Sequence, residues 1–257
     1  MYNVERKALI MKKLEENGSM SVAELAEILH ISKETVRRDL RELENDGMLS
    51  RTHGGALFVQ QPNSVTEHPF NVREVQHYSE KAAICKCAAQ YVQDGDTIFV
   101  DSSSTCSSLL KNINPNYQIT VITDSVRQLL EVAALNNDNF LTICLGGIFR
   151  TKNQSLHGEL SLNSLRHFRP TKSFVACRSV ESVGLSDGSI YGVDIKRAII
   201  NASKEVIVLA DHSKFSERGP VFVVGLDSVT RVITDDKVRE EDVRMLEMAG
   251  VECVIAP

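Results

Sequence analysis

From residue 79 onward the chain repeats one pattern: a short apolar run, a stretch with helical spacing, then another apolar run. The runs fall at 97–100, 119–122, 140–145, 173–176, 206–210, 221–225, 232–234 and 251–255. Most are continuous in apolar residues rather than alternating, the signature of strands buried on both faces. Helical patterns at 80–92, 107–112, 126–135, 156–168, 193–202 and 238–249 separate most of them. Strands that alternate with helices pair in parallel, because each crossover helix returns the chain to the same end of the sheet. The expected fold class is therefore α/β, a mostly parallel sheet in a three-layer sandwich, over 79–257.

The first sixty residues have a different texture. Ile10 and Leu14 share a helix face, and Gly18 is a natural stop. Ser21 and Glu24 have capping-box spacing, and Val22, Leu25, Ala26 and Leu29 form one apolar stripe. Ser32 offers a second N-cap for a helix from Lys33 to about Asp46, stopped by Gly47. Two short helices joined by a tight turn and trailed by a Gly-rich, basic segment read as a winged helix-turn-helix over 1–58. Residues 59–78, with two prolines and little periodicity, read as a linker.

The third helix carries the functional signal. At about 100° per residue, Leu40 and Leu43 lie within about 40° of Val36 and face the core. On the same count Arg38 and Arg41 fall near about 200° and 140°, with Arg37 on the flank near about 100°. Three guanidinium groups thus leave the exposed side or its shoulder, with Thr35 near the helix start. A helix in a major groove reads base edges with its N-terminal residues and phosphates with its flanks, and arginine suits both tasks. Beyond the helix, Arg51 and His53 sit beside Gly54-Gly55, as in a wing tip. Residues 1–60 nevertheless hold nine Lys+Arg against ten Asp+Glu, and the chain as a whole carries a net charge of −5. DNA binding must therefore come from placement of charge, and periodicity alone leaves a protein-interaction winged helix equally open.

In the second region, ligands to a parallel sheet bind at the carboxyl ends of the strands. The loops there are Asp101-Ser102-Ser103-Ser104-Thr105, Thr123-Asp124-Ser125, Gly146-Gly147, Cys177-Arg178-Ser179 and 211–214 with Lys214. They supply hydroxyls, glycine backbone, cations and carboxylates at one edge, a set suited to a phosphorylated polyol. Each loop taken alone also reads as an ordinary turn or N-cap. No G-x-S-x-G elbow is present, and no histidine is spaced for a loop serine. The six cysteines contain no CxxC pair and fall mostly in apolar runs, which fits packing rather than a metal or disulfides. No apolar run is long enough to span a bilayer and the first residues do not read as a secretory signal, so a cytoplasmic location without membrane contact is expected.

The stretch SMSVAELAEILHISKETVRRDLRELENDGMLSRTHGGA resembles the helix-turn-helix of the DeoR family of bacterial transcription regulators. Its S-x-x-T-V-R-R-D-L and L-x-R-x-H-G-G-A runs carry the match. DGDTIFVDSSST, VITDS, LGG with Arg150 and Gly158 after it, GLSD, LADHSKF and VITDD resemble the family's effector domain, which is similar in fold to ribose-5-phosphate isomerase. The resemblance implies DNA contacts through Arg37 and Arg38, supported by Ser32, Lys33, Thr35, Arg51 and His53, with Arg41 added from the helix face. It implies effector contacts at Asp101, Ser102, Ser103, Ser104, Thr105, Asp124, Ser125, Gly146, Gly147 and Lys214, with Arg178 added from its strand-end loop.

The family more often has Gly-Thr-Thr where Ser103-Ser104-Thr105 stands, and Thr-Asn where Thr123-Asp124 stands. The first change stiffens the loop. The second adds a carboxylate that repels anions and suits sugar hydroxyls. The expected function is a sequence-specific repressor of a carbohydrate catabolic operon, released from operator DNA by a phosphorylated sugar or related metabolite. It is expected to act as a homo-oligomer on two half-sites, without a cofactor or metal and without enzymatic activity. The competing class is a phosphosugar isomerase or hydrolase fused to a helix-turn-helix, with Asp101, Asp124 or Asp211 as base.

Overall fold

Ser21 opens the second helix by the reciprocal bonds its spacing requires. Its hydroxyl accepts from the Glu24 amide at 3.2 Å, and the Glu24 carboxylate accepts from the Ser21 amide at 2.8 Å. A computed structural model describes residues 3–59, 68–216 and 218–257. They form two compact units, one holding residues 3–59 and 71–78, the other residues 68–70 and the described residues from 79 onward.

In the first unit, α1 (Asn3–Asn17), β1 (Ser19–Ser21), α2 (Val22–Leu29) and α3 (Lys33–Asn45) precede the wing strands β2 (Leu49–Arg51) and β3 (Gly55–Phe58). The three strands form an antiparallel sheet in the order β1-β3-β2. Ile10, Leu14, Leu25, Leu29, Val36, Leu40 and Leu43 fill one core, as the stripes required. Gly55 is fixed by close approach: a Cβ there would lie 2.1 Å from the Met20 carbonyl oxygen. It therefore holds β3 against β1, while Gly54 faces open space. Within the segment expected to be a linker, α4 (Phe70–Val75) is helical. Its Val72 and Val75 join the core of the first unit, while the Phe70 amide donates to the Lys152 carbonyl.

Beyond residues 68–70, the second unit takes up α5 (Tyr78–Ala89) from Ser79 and continues through β4 (Thr97–Val100), β5 (Ile119–Thr123), α6 (Val126–Leu135) and β6 (Phe140–Cys144). A hairpin of β7 (Ile148–Arg150) and β8 (Ser155–His157) comes next, then α7 (Glu159–Leu165) and β9 (Lys172–Val175). The chain ends with β10 (Ser179–Glu181), β11 (Gly184–Asp187), α8 (Val193–Ala202), β12 (Glu205–Leu209), β13 (Val221–Val224), β14 (Arg231–Thr234), α9 (Glu240–Met248) and β15 (Glu252–Ile255). Seven strands form one parallel sheet in the order β15-β14-β12-β9-β4-β5-β6.

Alternate residues of the central strands feed two cores. Ile98, Val100, Ile207 and Leu209 pack with α5, α6 and the turns after β4. Phe99, Val206 and Val208 pack with α7, α8, α9 and a small sheet. This is the expected α/β three-layer arrangement. Cys85, Cys87, Cys106 and Cys177 are buried in these cores.

Within the second unit the structure departs from the sequence reading at three of the expected elements. The run at 221–225 leaves the parallel sheet and closes an antiparallel one in the order β10-β11-β13. The helix expected over 107–112 is instead two 3-10 turns, Cys106–Ser108 and Leu110–Asn112. There the Ser107 hydroxyl and Asn112 amide bond back to the Ser104 and Ser108 carbonyls, local bonds that compete with helical ones. The helix expected over 156–168 begins only after Gly158, whose φ of 97° ends β8. Among the described residues, no helix is long and apolar enough to cross a membrane.

Candidate functional site

The sequence of strand joins places one crevice. From β4 the chain adds β5 and β6 on one side, and then returns to add β9, β12, β14 and β15 on the other. The order reverses between β4 and β9, and neighbouring connections that leave in opposite directions open a cleft at the carboxyl ends of those strands. Asp101 comes directly after β4 at this point. Its amide donates to the Phe174 carbonyl at 3.1 Å, and its Oδ2 accepts from the Ala176 amide beyond β9 at 2.9 Å. Its Oδ1 accepts from the Ser103 amide at 2.8 Å, which bends the loop back.

Lys196 of α8 reaches the same point. Its ammonium lies 3.5 Å from Asp101 Oδ2, 2.6 Å from Asp187 Oδ2 and 2.5 Å from the Ala176 carbonyl oxygen. Burial by itself would lower the lysine's pKa, but Asp187 and Asp101 together hold it above the ordinary value, so the side chain stays charged. Asp124, at the end of the neighbouring β5, is 5 % exposed. Burial first, and the Asp101 charge second, raise its pKa to about 7, against the pull of Ser102 and Lys196. Ser102 donates to Asp124 Oδ2 at 3.0 Å. The crevice thus contains a charged lysine, carboxylates held by it, and a carboxyl near its titration point.

The other expected effector residues divide. Ser103 accepts from the Cys106 amide at 3.1 Å, which closes the loop ahead of the first 3-10 turn. Ser104 is buried and takes a 3.3 Å bond from Lys81, and Thr105 is buried with its carbonyl on the Cys85 thiol. Ser125 caps α6 by accepting from Gln128. Gly147 has φ of 118°, and a Cβ there would lie 2.4 Å from both the His157 carbonyl oxygen and Ser161 Oγ. Gly146, with φ of 73° and open space about it, accepts from Ser161 through its carbonyl.

Arg178 is half-buried and its amide donates to the Ser186 carbonyl. Lys214 lies in the 3-10 turn His212–Phe215, close enough to Cys177 to act on the thiol that burial pushes up to about 12. That turn is moored by Asp235, whose carboxylate accepts from the His212 amide at 2.8 Å. Sequence reasoning missed Lys196. Its signal is faint, a lone lysine on the amphipathic run 193–202.

In the first unit, α3 is held by a buried ion pair. Asp39 has no exposed surface and receives both Nε and Nη2 of Arg6 from α1, the latter at 2.9 Å. With Asp39 turned inward, Arg37, Arg38 and Arg41 are exposed. Arg37 lies 3.3 Å from Glu34, a pair with both partners in water. Arg38 and Arg41 make no ion pair or hydrogen bond among the described residues. Lys33 is exposed, and Ser32 is spent as the N-cap, accepting from the Thr35 amide at 3.1 Å. Arg51 and His53 are exposed on the wing, with Arg51 3.6 Å from Glu44. Asp39 is legible in sequence as an anomaly, because an acid three residues after Val36 lies on the apolar face.

Residues 6–62 match the DeoR-like helix-turn-helix domain, and residues 76–236 match the DeoR C terminal sensor domain. The chain belongs to the DeoR family. With these two domains, and with relatives named as transcriptional regulators, it is a DNA-binding transcriptional regulator with a small-molecule sensor domain, and not an enzyme. It is 36% identical over 258 residues to the uncharacterized HTH-type transcriptional regulator YulB of Bacillus subtilis (strain 168), covering 100% of this chain and 98% of that one. It is 30% identical over 233 residues to the L-fucose operon activator of Escherichia coli (strain K12), covering 90% and 95%. Among solved structures, ribose 5-phosphate isomerase A of Methanocaldococcus jannaschii is similar over 55% of each chain, with 16% identity and a TM-score of 0.40.

Proposed function

We propose that this DeoR-family regulator is a repressor of a carbohydrate catabolic operon, working as a homo-oligomer and released by a phosphorylated sugar or related metabolite bound in the strand-end crevice. The observation that carries the DNA side is the face of α3. Asp39 and Arg6 lock one side of the helix inward, and Arg38 and Arg41 leave the other side without an ion-pair or hydrogen-bond partner among the described residues. Lys33 and Arg37 stand on the same helix, with Arg51 and His53 on the wing, where they serve as phosphate contacts. Ser32 and Thr35 shape the helix start that enters the groove. A pair of half-sites requires at least two copies of this unit.

The effector side rests on the crevice at the β4–β9 reversal, whose hydroxyls, carboxylates and Lys196 suit a polyhydroxylated ligand. Lys214 and Arg178 supply positive charge at the same edge. The carbohydrate reading draws support from the relative named as an L-fucose operon activator.

Arg38→Ala tests the DNA face. Binding to genomic fragments selected by the unaltered protein, measured by fluorescence anisotropy at a fixed salt concentration, should weaken by about 1–3 kcal/mol and lose preference over random DNA. The thermal melt should stay close to that of the unaltered protein, since Arg38 touches no core side chain. Unchanged affinity and preference would remove α3 as the reading helix. A promoter–reporter strain lacking the protein should show raised expression, whereas lowered expression would make it an activator.

A further inference from the structure

We propose that Asp124 is the specificity-determining residue of the crevice: its Oδ1 accepts a hydroxyl of an uncharged polyol portion of the effector and turns away a phosphate at that end. This inference rests on the effector-binding reading above and names the chemistry of one end of that site. Asp124 Oδ2 is engaged by Ser102, but Oδ1 is buried without a hydrogen-bond partner among the described residues. One turn along, on α6, Gln128 donates through Nε2 to the Cys106 carbonyl at 2.8 Å, and its Oε1 is likewise buried and unpartnered. Buried acceptors are almost always paired, because losing water without a replacement donor is costly. Two unpaired acceptors at the start of one helix therefore call for donors from outside. A sugar or alditol hydroxyl supplies them, while a phosphate dianion supplies none and meets the charge of Asp101 as well.

The groups acting on Asp124 come from each element packed on it. Asp101 and Ser102 come from the loop after β4 and Lys196 from α8, while β8 contributes the Leu156 amide, which donates to the Asp124 carbonyl oxygen at 2.8 Å. His157 on the same hairpin is held neutral, its pKa lowered to about 4 by burial and then by Arg150, so it takes no part between about pH 6 and 8. A carboxyl titrating near 7 accepts a hydroxyl best once ionised. The affinity for an uncharged polyol therefore rises with pH by about tenfold between pH 6 and 8, in proportion to the competent fraction.

The experiment is a thermal-shift and calorimetric screen of the full chain against pentoses, hexoses, their alditols and their terminal phosphates, at about pH 6 and 8. The expected result is stabilisation by at least one compound, with affinity about tenfold higher at pH 8. Asp124→Asn should flatten that pH profile and raise the affinity for the phosphorylated members relative to the uncharged ones. Ser102→Ala, which removes the donor to Oδ2, should move the midpoint of the profile to higher pH. If compounds bind the unaltered protein but the profile is flat, or survives in Asp124→Asn, the assignment of Asp124 is overturned while the effector reading stands. If no compound binds the unaltered protein, the effector reading falls and this inference with it.

Discussion

Replacing Asp39 with alanine is expected to cost the N-terminal unit about 3–5 kcal/mol, the penalty for stranding one partner of a buried ion pair. The remaining Arg6 is only 8 % exposed, and its pKa is held up chiefly by the hydrogen bond to Asp39. Without that carboxylate the guanidinium must reach water, and α1 must move off α3 to let it. Because α3 carries Arg37, Arg38 and Arg41, DNA affinity should fall together with stability, in contrast to Arg38→Ala, which should lose affinity alone. Urea unfolding of the full chain, monitored by helical circular dichroism, measures the first quantity and anisotropy the second. Pairing Arg6→Met with Asp39→Leu should recover most of the stability, since apolar residues of similar volume replace such pairs at little cost. A loss below about 1 kcal/mol for Asp39→Ala would place the pair among solvated salt bridges instead.

Lys196→Met is expected to have a comparable effect on the second unit. The ammonium bridges Asp101 and Asp187 and holds the Ala176 carbonyl, so its loss leaves two carboxylates facing each other across the crevice. The expected cost is about 3–5 kcal/mol, which at about 2–4 °C per kcal/mol is a fall in Tm on the order of 10 °C. The sign with pH is set by the lysine itself, whose pKa Asp187 and Asp101 hold above its ordinary value. A lysine whose folded pKa is raised contributes stability that is fully present below its unfolded pKa and is lost only as pH rises through the folded one. The deficit should therefore be of similar size at about pH 5 and about pH 8 in differential scanning fluorimetry. Combining Lys196→Met with Asp187→Asn should recover part of it, and strict additivity of the two losses would show that the residues do not act as a unit. Lys196 also lowers the pKa of Asp124, so the methionine variant should shift the pH profile of polyol binding upward.

Much of this layout can be read along the chain. The stripe Leu25, Ala26, Leu29 and the set Val36, Leu40, Leu43 assign core and surface to α2 and α3, and the three arginines fall outside by subtraction. The apolar runs locate all seven strands of the parallel sheet, and the rule that ligands sit at carboxyl ends points to Asp101, Ser102 and Asp124. Periodicity misassigned the pieces shaped by contacts from afar. Val221–Val224 is as apolar as any sheet strand, yet it pairs with β11 in the antiparallel sheet. Ser155–His157 shares helical spacing with residues 158–168, but it bridges Ser125 and donates from Leu156 to Asp124. In the DSSST loop the four hydroxyls look equivalent in sequence. In the fold Ser103 closes a turn and Ser104 and Thr105 are buried, which leaves Ser102 facing Asp124.

The sequence by itself determined the two kinds of unit, the inward and outward faces of α3, and the sheet edge that carries the proposed effector loops. These are consequences of spacing within a few residues, where helix and strand geometry repeat. Only the tertiary structure decided the order of the strands, and with it the reversal between β4 and β9 that makes Asp101 the centre of a crevice. It also decided that Lys196, Ala176 and Asp187 close on that aspartate, that Asp124 keeps one oxygen without a donor, and that Arg6 is the partner of Asp39. Such pairings join residues far apart in the chain, and they are set by how whole helices pack on the sheet and on each other, which no local period records.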